Sequence, residues 1–94
     1  MNKIRVLIVD DHAVYRMGLI ALLDTEPDIE VVGEAEDGRS ALRKAAKLAP
    51  DVVVMDLMMP VMDGIAATRE FREQLPAAKV LVLTTSTTSD DLAN

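Results

Sequence analysis

The chain has 94 residues, half of them apolar, a formal net charge of -6, no cysteine, and two aromatic residues, Tyr15 and Phe71. That length holds one small core and suits an α/β domain of Val, Leu, Ile, Met and Ala; the negative charge argues against a grip on nucleic acid or an anionic membrane by this segment, and the lack of cysteine excludes disulfides and thiolate chemistry. No apolar stretch approaches the roughly 20 residues of a membrane span, and the run after MNKIR is too short for a signal peptide, so no membrane contact and a cytoplasmic location are expected.

The first apolar run, Ile4 to Val9, is too short for a helix, rich in Val and Ile, and ends at the acidic pair Asp10-Asp11. It reads as a strand. A helical pattern follows over Ala13 to Leu23, with Met17, Ile20 and Ala21 at helical spacing and Pro27 beyond its end. The second strand is expected at Ile29 to Ala35. Asp37-Gly38 then precedes a second helix, Arg39 to Leu48, which sets Leu42, Ala45 and Ala46 opposite Arg43, Lys44 and Lys47 and stops at Pro50.

The third strand, Val52 to Met55, runs directly into Asp56 in the string DVVVMDLMMPVMDG. Asp63-Gly64 opens a third helix, Gly64 to Leu75, with Ala67, Thr68, Phe71 and Leu75 opposite Arg69, Glu70 and Glu73, and Pro76 closes it. Val80 to Leu83 is the fourth strand, followed by the polar TTSTTS segment and by Ser89-Asp90-Asp91, a helix N-cap signal with only Leu92, Ala93 and Asn94 after it. The order is βαβαβαβ. Strands apolar on consecutive residues, rather than alternating, signal a parallel sheet covered on both faces by helices.

In such a sheet ligands sit outside the carboxyl ends of the strands, where Asp10, Asp11 and Asp56 would converge. Three carboxylates at one rim repel each other unless a cation or phosphate chemistry uses them. Oxygen ligands with few alternatives suit Mg²⁺, or Mn²⁺ in its place, and a carboxylate beside such a cation can attack phosphorus to give an acyl phosphate. Asp56, projecting alone from its strand, is the candidate nucleophile; Asp10 and Asp11 are the candidate metal holders. Capping of the following helix is the structural alternative for either member of the pair. His12, a lone histidine on a strand-to-helix loop, reads as solvated rather than as a general base. Met55, Met58 and Met59 read as adaptable packing around Asp56, since thioethers do not suit a hard cation. Pro60 and Gly64 shape the loop after Asp56 without reacting.

The acidic pair after the first strand, the Asp ending the third, the MPVMDG turn at Met59 to Gly64 and the hydroxyl residue after the fourth strand together resemble the receiver domain of two-component response regulators, over the whole length. The stretches DDHAVYRMGL (Asp10 to Leu19) and VVGEAEDGRSAL (Val31 to Leu42) look like the NarL/LuxR-type subfamily of transcription regulators. The resemblance implies a flavodoxin-like (CheY-like) sheet of order 2-1-3-4-5, of which residues 1–94 would supply the first four strands. It makes Asp56 the phosphoacceptor, Asp10 and Asp11 the Mg²⁺ pocket together with Asp56, and Met58 a metal ligand through its main-chain carbonyl. Thr84 matches the switch hydroxyl and Thr85 the position lining the entry to the site.

The implied partner is a sensor histidine kinase, and the implied role is a phosphorylation switch that catalyses only its own modification and is not an enzyme toward another substrate. DNA would be bound through a helix-turn-helix output domain that this sequence does not contain. The family's Lys at the end of a fifth strand also has no match: Lys3 and Lys79 precede their strands, and Lys44 and Lys47 lie on a polar helix face. A receiver domain truncated in this way is expected to label weakly. It leaves open a homodimer or swapped oligomer through the edge at the fourth strand, acting as an interaction module without phosphotransfer. A phosphohydrolase of the haloacid dehalogenase type would need a second Asp where Met58 stands, and a Rossmann nucleotide site would need glycines where Asp10-Asp11-His12 stand.

Overall fold

The computed structural model describes residues 3–56 and 64–83. Within them the chain forms β1 (Ile4–Val9), α1 (Ala13–Leu23), β2 (Ile29–Ala35), α2 (Gly38–Leu48), β3 (Val52–Asp56), α3 (Gly64–Gln74) and β4 (Lys79–Leu83). The strands pair in the order β2-β1-β3-β4, and every pairing is parallel. This is the expected arrangement. The chain leaves β1 for β2 on one side and then crosses to β3 on the other, so the crevice between the ends of β1 and β3 is the switch point where such sheets bind ligands.

β1 is the centre of the sheet and its sequence shows it. Val6, Leu7, Ile8 and Val9 are all buried, so consecutive residues leave water on both faces, as a strand between two helical layers requires. On one face Leu7, Val9, Val53 and Met55 join Ala41 and Ala45 of α2 and Ala67 and Phe71 of α3 in a single apolar cluster. Alanines facing the sheet from α2 let that helix approach closely, and Phe71 fills the space beside it. α1 packs on β1 and β2.

The helix faces depart from the sequence pattern in two places. α1 contributes no fully buried residue; Met17 is 67% exposed and Ala21 is exposed, while Leu19, Ile20 and Leu23 are half-buried. The helix is apolar nearly all round, so periodicity alone could not select its inward side. In α2 it is Ala41, not Ala46, that is buried beside Ala45. α2 also begins one residue earlier than expected, at Gly38, because the Asp37 carboxylate accepts a hydrogen bond from Ser40 N and caps the first turn.

Two further features fix the frame. β2 carries an irregularity in its register against β1: Val31 pairs with Val6 but Gly33 with Leu7, leaving Val32 as the extra residue of a bulge. At the opposite end of the sheet from the acids, Arg5 N donates to Asp51 Oδ2 at 2.9 Å and the Arg5 guanidinium donates to Leu48 O at 2.5 Å, tying β1 to the turn between α2 and β3.

Candidate phosphoacceptor site

The parallel register places Val9 beside Met55, so the next residues along each strand, Asp10 and Asp56, emerge together at the carboxyl rim. Asp10 N donates to Ala35 O of β2 at 3.0 Å, which carries the sheet pairing one step past β1 and turns the Asp10 side chain into the crevice. Asp56 is the last residue of β3. Both are buried, at 1% and 3% exposure, which is costly for carboxylates and therefore informative.

Asp11 and His12 complete the group. One ligand atom from each of Asp10, Asp11, His12 and Asp56 lies within 4.8 Å of all the others. The Asp10 carboxylate accepts from His12 N at 2.7 Å, closing a turn at the entry to α1, and its Oδ1 lies 3.0 Å from His12 Nδ1. The same Nδ1 lies 3.0 Å from Asp11 Oδ1. The hydrogen bond to Asp10 and then the charge of Asp11 raise the His12 pKa above its ordinary value, with desolvation opposing them.

These distances bring together the three acids singled out from sequence and add a residue that sequence reading set aside. The His12 side chain is 67% exposed, as a solvated loop residue should be, yet its ring is turned onto the carboxylates. Nothing in its spacing could reveal that, because a turn made by its own backbone sets the ring direction. Arg16 was also overlooked. From the first turns of α1 its Nη1 donates to Asp10 O at 2.5 Å and its Nε donates to Glu34 Oε1 of β2 at 2.7 Å. The signal available in the sequence was a basic residue one helical turn inside a helix that follows an acidic loop.

The group fits a divalent cation on its own terms. Asp11 Oδ1 is almost wholly shielded from solvent, although the rest of its side chain is partly exposed, and among the described residues it accepts no hydrogen bond and has only the ion-pair contact at 3.0 Å with His12 Nδ1. A shielded carboxylate oxygen whose one polar neighbour is an imidazole shared with Asp10 is poorly compensated, and an ion held by several carboxylate oxygens offsets that cost. The donor set is hard oxygen with one imidazole, which suits Mg²⁺ or Mn²⁺. Met58, Met59, Pro60, Thr84 and Thr85 lie outside the described residues.

The response regulator receiver domain family profile matches residues 6–94. The chain belongs to that family. It is 54% identical over 81 residues to the transcriptional regulatory protein LiaR of Bacillus subtilis, covering 86% of this chain and 38% of that protein. It is 51% identical over 81 residues to the response regulator protein VraR of Staphylococcus aureus, covering 86% of this chain and 39% of that protein. The chain thus spans well under half the length of these curated relatives.

Among solved structures, the receiver domain of the response regulator NarL from Mycobacterium tuberculosis superposes with a TM-score of 0.85 at 36% identity, over 89% of this chain and 68% of that one. The isolated receiver domain of RcsB from Salmonella enterica, solved with the phosphomimetic BeF3-, gives 0.84 at 30% identity over 98% of this chain and 69% of that one. The receiver-type sheet and the NarL/LuxR-type resemblance agree with these matches. Among the described residues no helix is long and apolar enough to cross a membrane.

Proposed function

We propose that the chain is a phosphorylation switch of a two-component system in which Asp56 accepts a phosphoryl group from the phosphohistidine of a sensor kinase. The observation that carries this reading is the convergence of Asp10, Asp11 and Asp56 at the switch point, with ligand atoms within 4.8 Å of one another. An Asp56 carboxylate oxygen attacks phosphorus, the phosphorus to nitrogen bond of the donor breaks, and its electron pair leaves with the imidazole nitrogen. The product is an acyl phosphate on Asp56.

Asp10, Asp11 and Asp56 would hold Mg²⁺, with the Met58 carbonyl as a further ligand from the resemblance. When bound, the cation supplies charge neutralisation at the transferring group. The protein's own part is placement. Asp56 is fixed by β3, Asp10 by its bond to Ala35, and the buried setting strengthens each charge interaction at the rim. Phosphorylation replaces a carboxylate charge by an acyl phosphate of roughly -1.5 to -2, so the rim gains up to about one further negative charge together with new acceptor oxygens, a change large enough to bias a nearby loop between two arrangements. Thr84 is assigned as the hydroxyl that reads the new phosphoryl oxygens. By likeness to the relatives, the wider role we propose is control of a DNA-binding output domain, with the switch working in the cytoplasm.

Incubation with acetyl phosphate and Mg²⁺, read by intact mass, tests the assignment. The wild-type chain gains one phosphoryl group and Asp56→Asn gains none. Equal labelling of the two removes Asp56 as the acceptor.

A further inference from the structure

One hydrogen bond to the acidic loop comes from a residue outside the acidic group, Arg16. Asp10 O belongs to the peptide unit that joins Asp10 to Asp11, and that unit is planar. Holding its carbonyl fixes the ψ of Asp10 and the φ of Asp11 together, and hence the direction in which both carboxylates leave the chain. Arg16 Nη1 holds that carbonyl at 2.5 Å. The guanidinium is itself held, because its Nε donates to Glu34 Oε1 at 2.7 Å and its side chain is only 15% exposed. Glu34 in turn sits on β2, where Lys44 Nζ of α2 donates to its main-chain carbonyl at 2.6 Å.

Resting on the metal-binding reading above, we propose that Arg16 is a positioning residue for the cation site, with Glu34 as its anchor. A planar fork can place one N–H on a carbonyl and another on a carboxylate at once, and Lys cannot do both in fixed directions. The proposal also has a sign that distinguishes it from a plain charge effect. A cation beside four ligand groups weakens binding of a second cation, so if Arg16 acts only through its charge, removing it tightens Mg²⁺ binding. If it positions the Asp10-Asp11 peptide, removing it weakens Mg²⁺ binding.

The test is a Mg²⁺ titration of the whole chain and its variants by two-dimensional amide NMR, with melting recorded in EDTA. Arg16→Lys and Arg16→Ala are expected to raise the Mg²⁺ Kd about tenfold, in line with other groups that orient metal ligands. Glu34→Gln, which leaves Arg16 present, is expected to raise it by a smaller factor and to melt like wild type, keeping the test open should Arg16→Ala fold poorly. In EDTA the Asp11 and His12 amide resonances should move in both Arg16 variants. Unchanged or tighter Mg²⁺ binding in Arg16→Lys, or unmoved Asp11 and His12 amides, overturns the proposal. Absence of any Mg²⁺ response at Asp10, Asp11 and Asp56 in wild type would instead overturn the metal-binding reading, and the EDTA spectra would still decide whether Arg16 sets the loop.

Discussion

His12 shows how a residue can be legible by type and illegible by role. A histidine after two aspartates is open to several readings, and only the turn closed by His12 N on the Asp10 carboxylate brings the ring to 3.0 Å from both acids. Its raised pKa has a consequence with a definite sign. The protonated ring is favoured in the folded state, so this contribution to stability is fully present below the ordinary value near 6.5 and is lost as pH rises through the higher folded value. In EDTA, an NMR titration of the ring should therefore find its midpoint above that of an unstructured peptide. Mg²⁺ should lower the midpoint by competing for the same oxygens. A midpoint at or below the peptide value in EDTA would contradict the geometry. Asp10, Asp11 and Asp56 were legible because each closes an apolar run; the Arg16 contact was not, because it depends on how α1 lies over the loop.

At the scale of elements, strands and helices were readable from run length and Gly, Pro and Asp punctuation, and their ends fell within a residue of expectation. The bulge at Val32 was not readable. It arises from the pairing of β2 with β1; Gly33 is the one local mark compatible with a bulge, and it does not by itself say where the register slips. Gly33, just after it, is where the slip has a packing consequence: a Cβ there would stand 2.8 Å from Leu48 Cδ1 and 3.4 Å from Leu7 Cδ1. Leu48 can turn aside for one methyl but not for a branched side chain. Gly33→Val should cost about 1 to 3 kcal/mol, seen as a lower urea midpoint at unchanged slope. The opposite change is expected at the end of α2, where Ala49 adopts φ 50° to donate its N–H to Ala45 O at 2.8 Å. Ala49→Gly should stabilise the chain by up to about 1 kcal/mol, because glycine meets no Cβ penalty in that conformation. A loss of stability there would show that Ala49 packs in a way its backbone does not reveal.

Across the whole molecule, the sheet concentrates acid at one rim of a chain that already carries a net charge of -6. The site is thus a trade between stability and function. Cation binding should reverse the repulsion, adding about 2.7 kcal/mol at a free Mg²⁺ concentration about 100 times Kd. Asp11→Asn should invert that dependence, melting above wild type in EDTA, where one of the mutually repelling charges is gone, and below it in saturating Mg²⁺. If Mg²⁺ shifts the melting of both proteins equally, the ion binds elsewhere. The architecture was foreseeable from the βαβαβαβ pattern, whereas the outward side of α1 was not, since a helix apolar on every side keeps its partner unspecified until the packing is known.

The most direct measurement is the location of the phosphoryl group itself. After brief treatment with acetyl phosphate, borohydride reduction of the acyl phosphate and peptide mapping should find the modified residue at Asp56 alone, in Mg²⁺ but not in EDTA. Modification at another carboxylate, or at Asp56 to the same extent in EDTA, would contradict a cation-dependent acceptor held at the junction of β1 and β3.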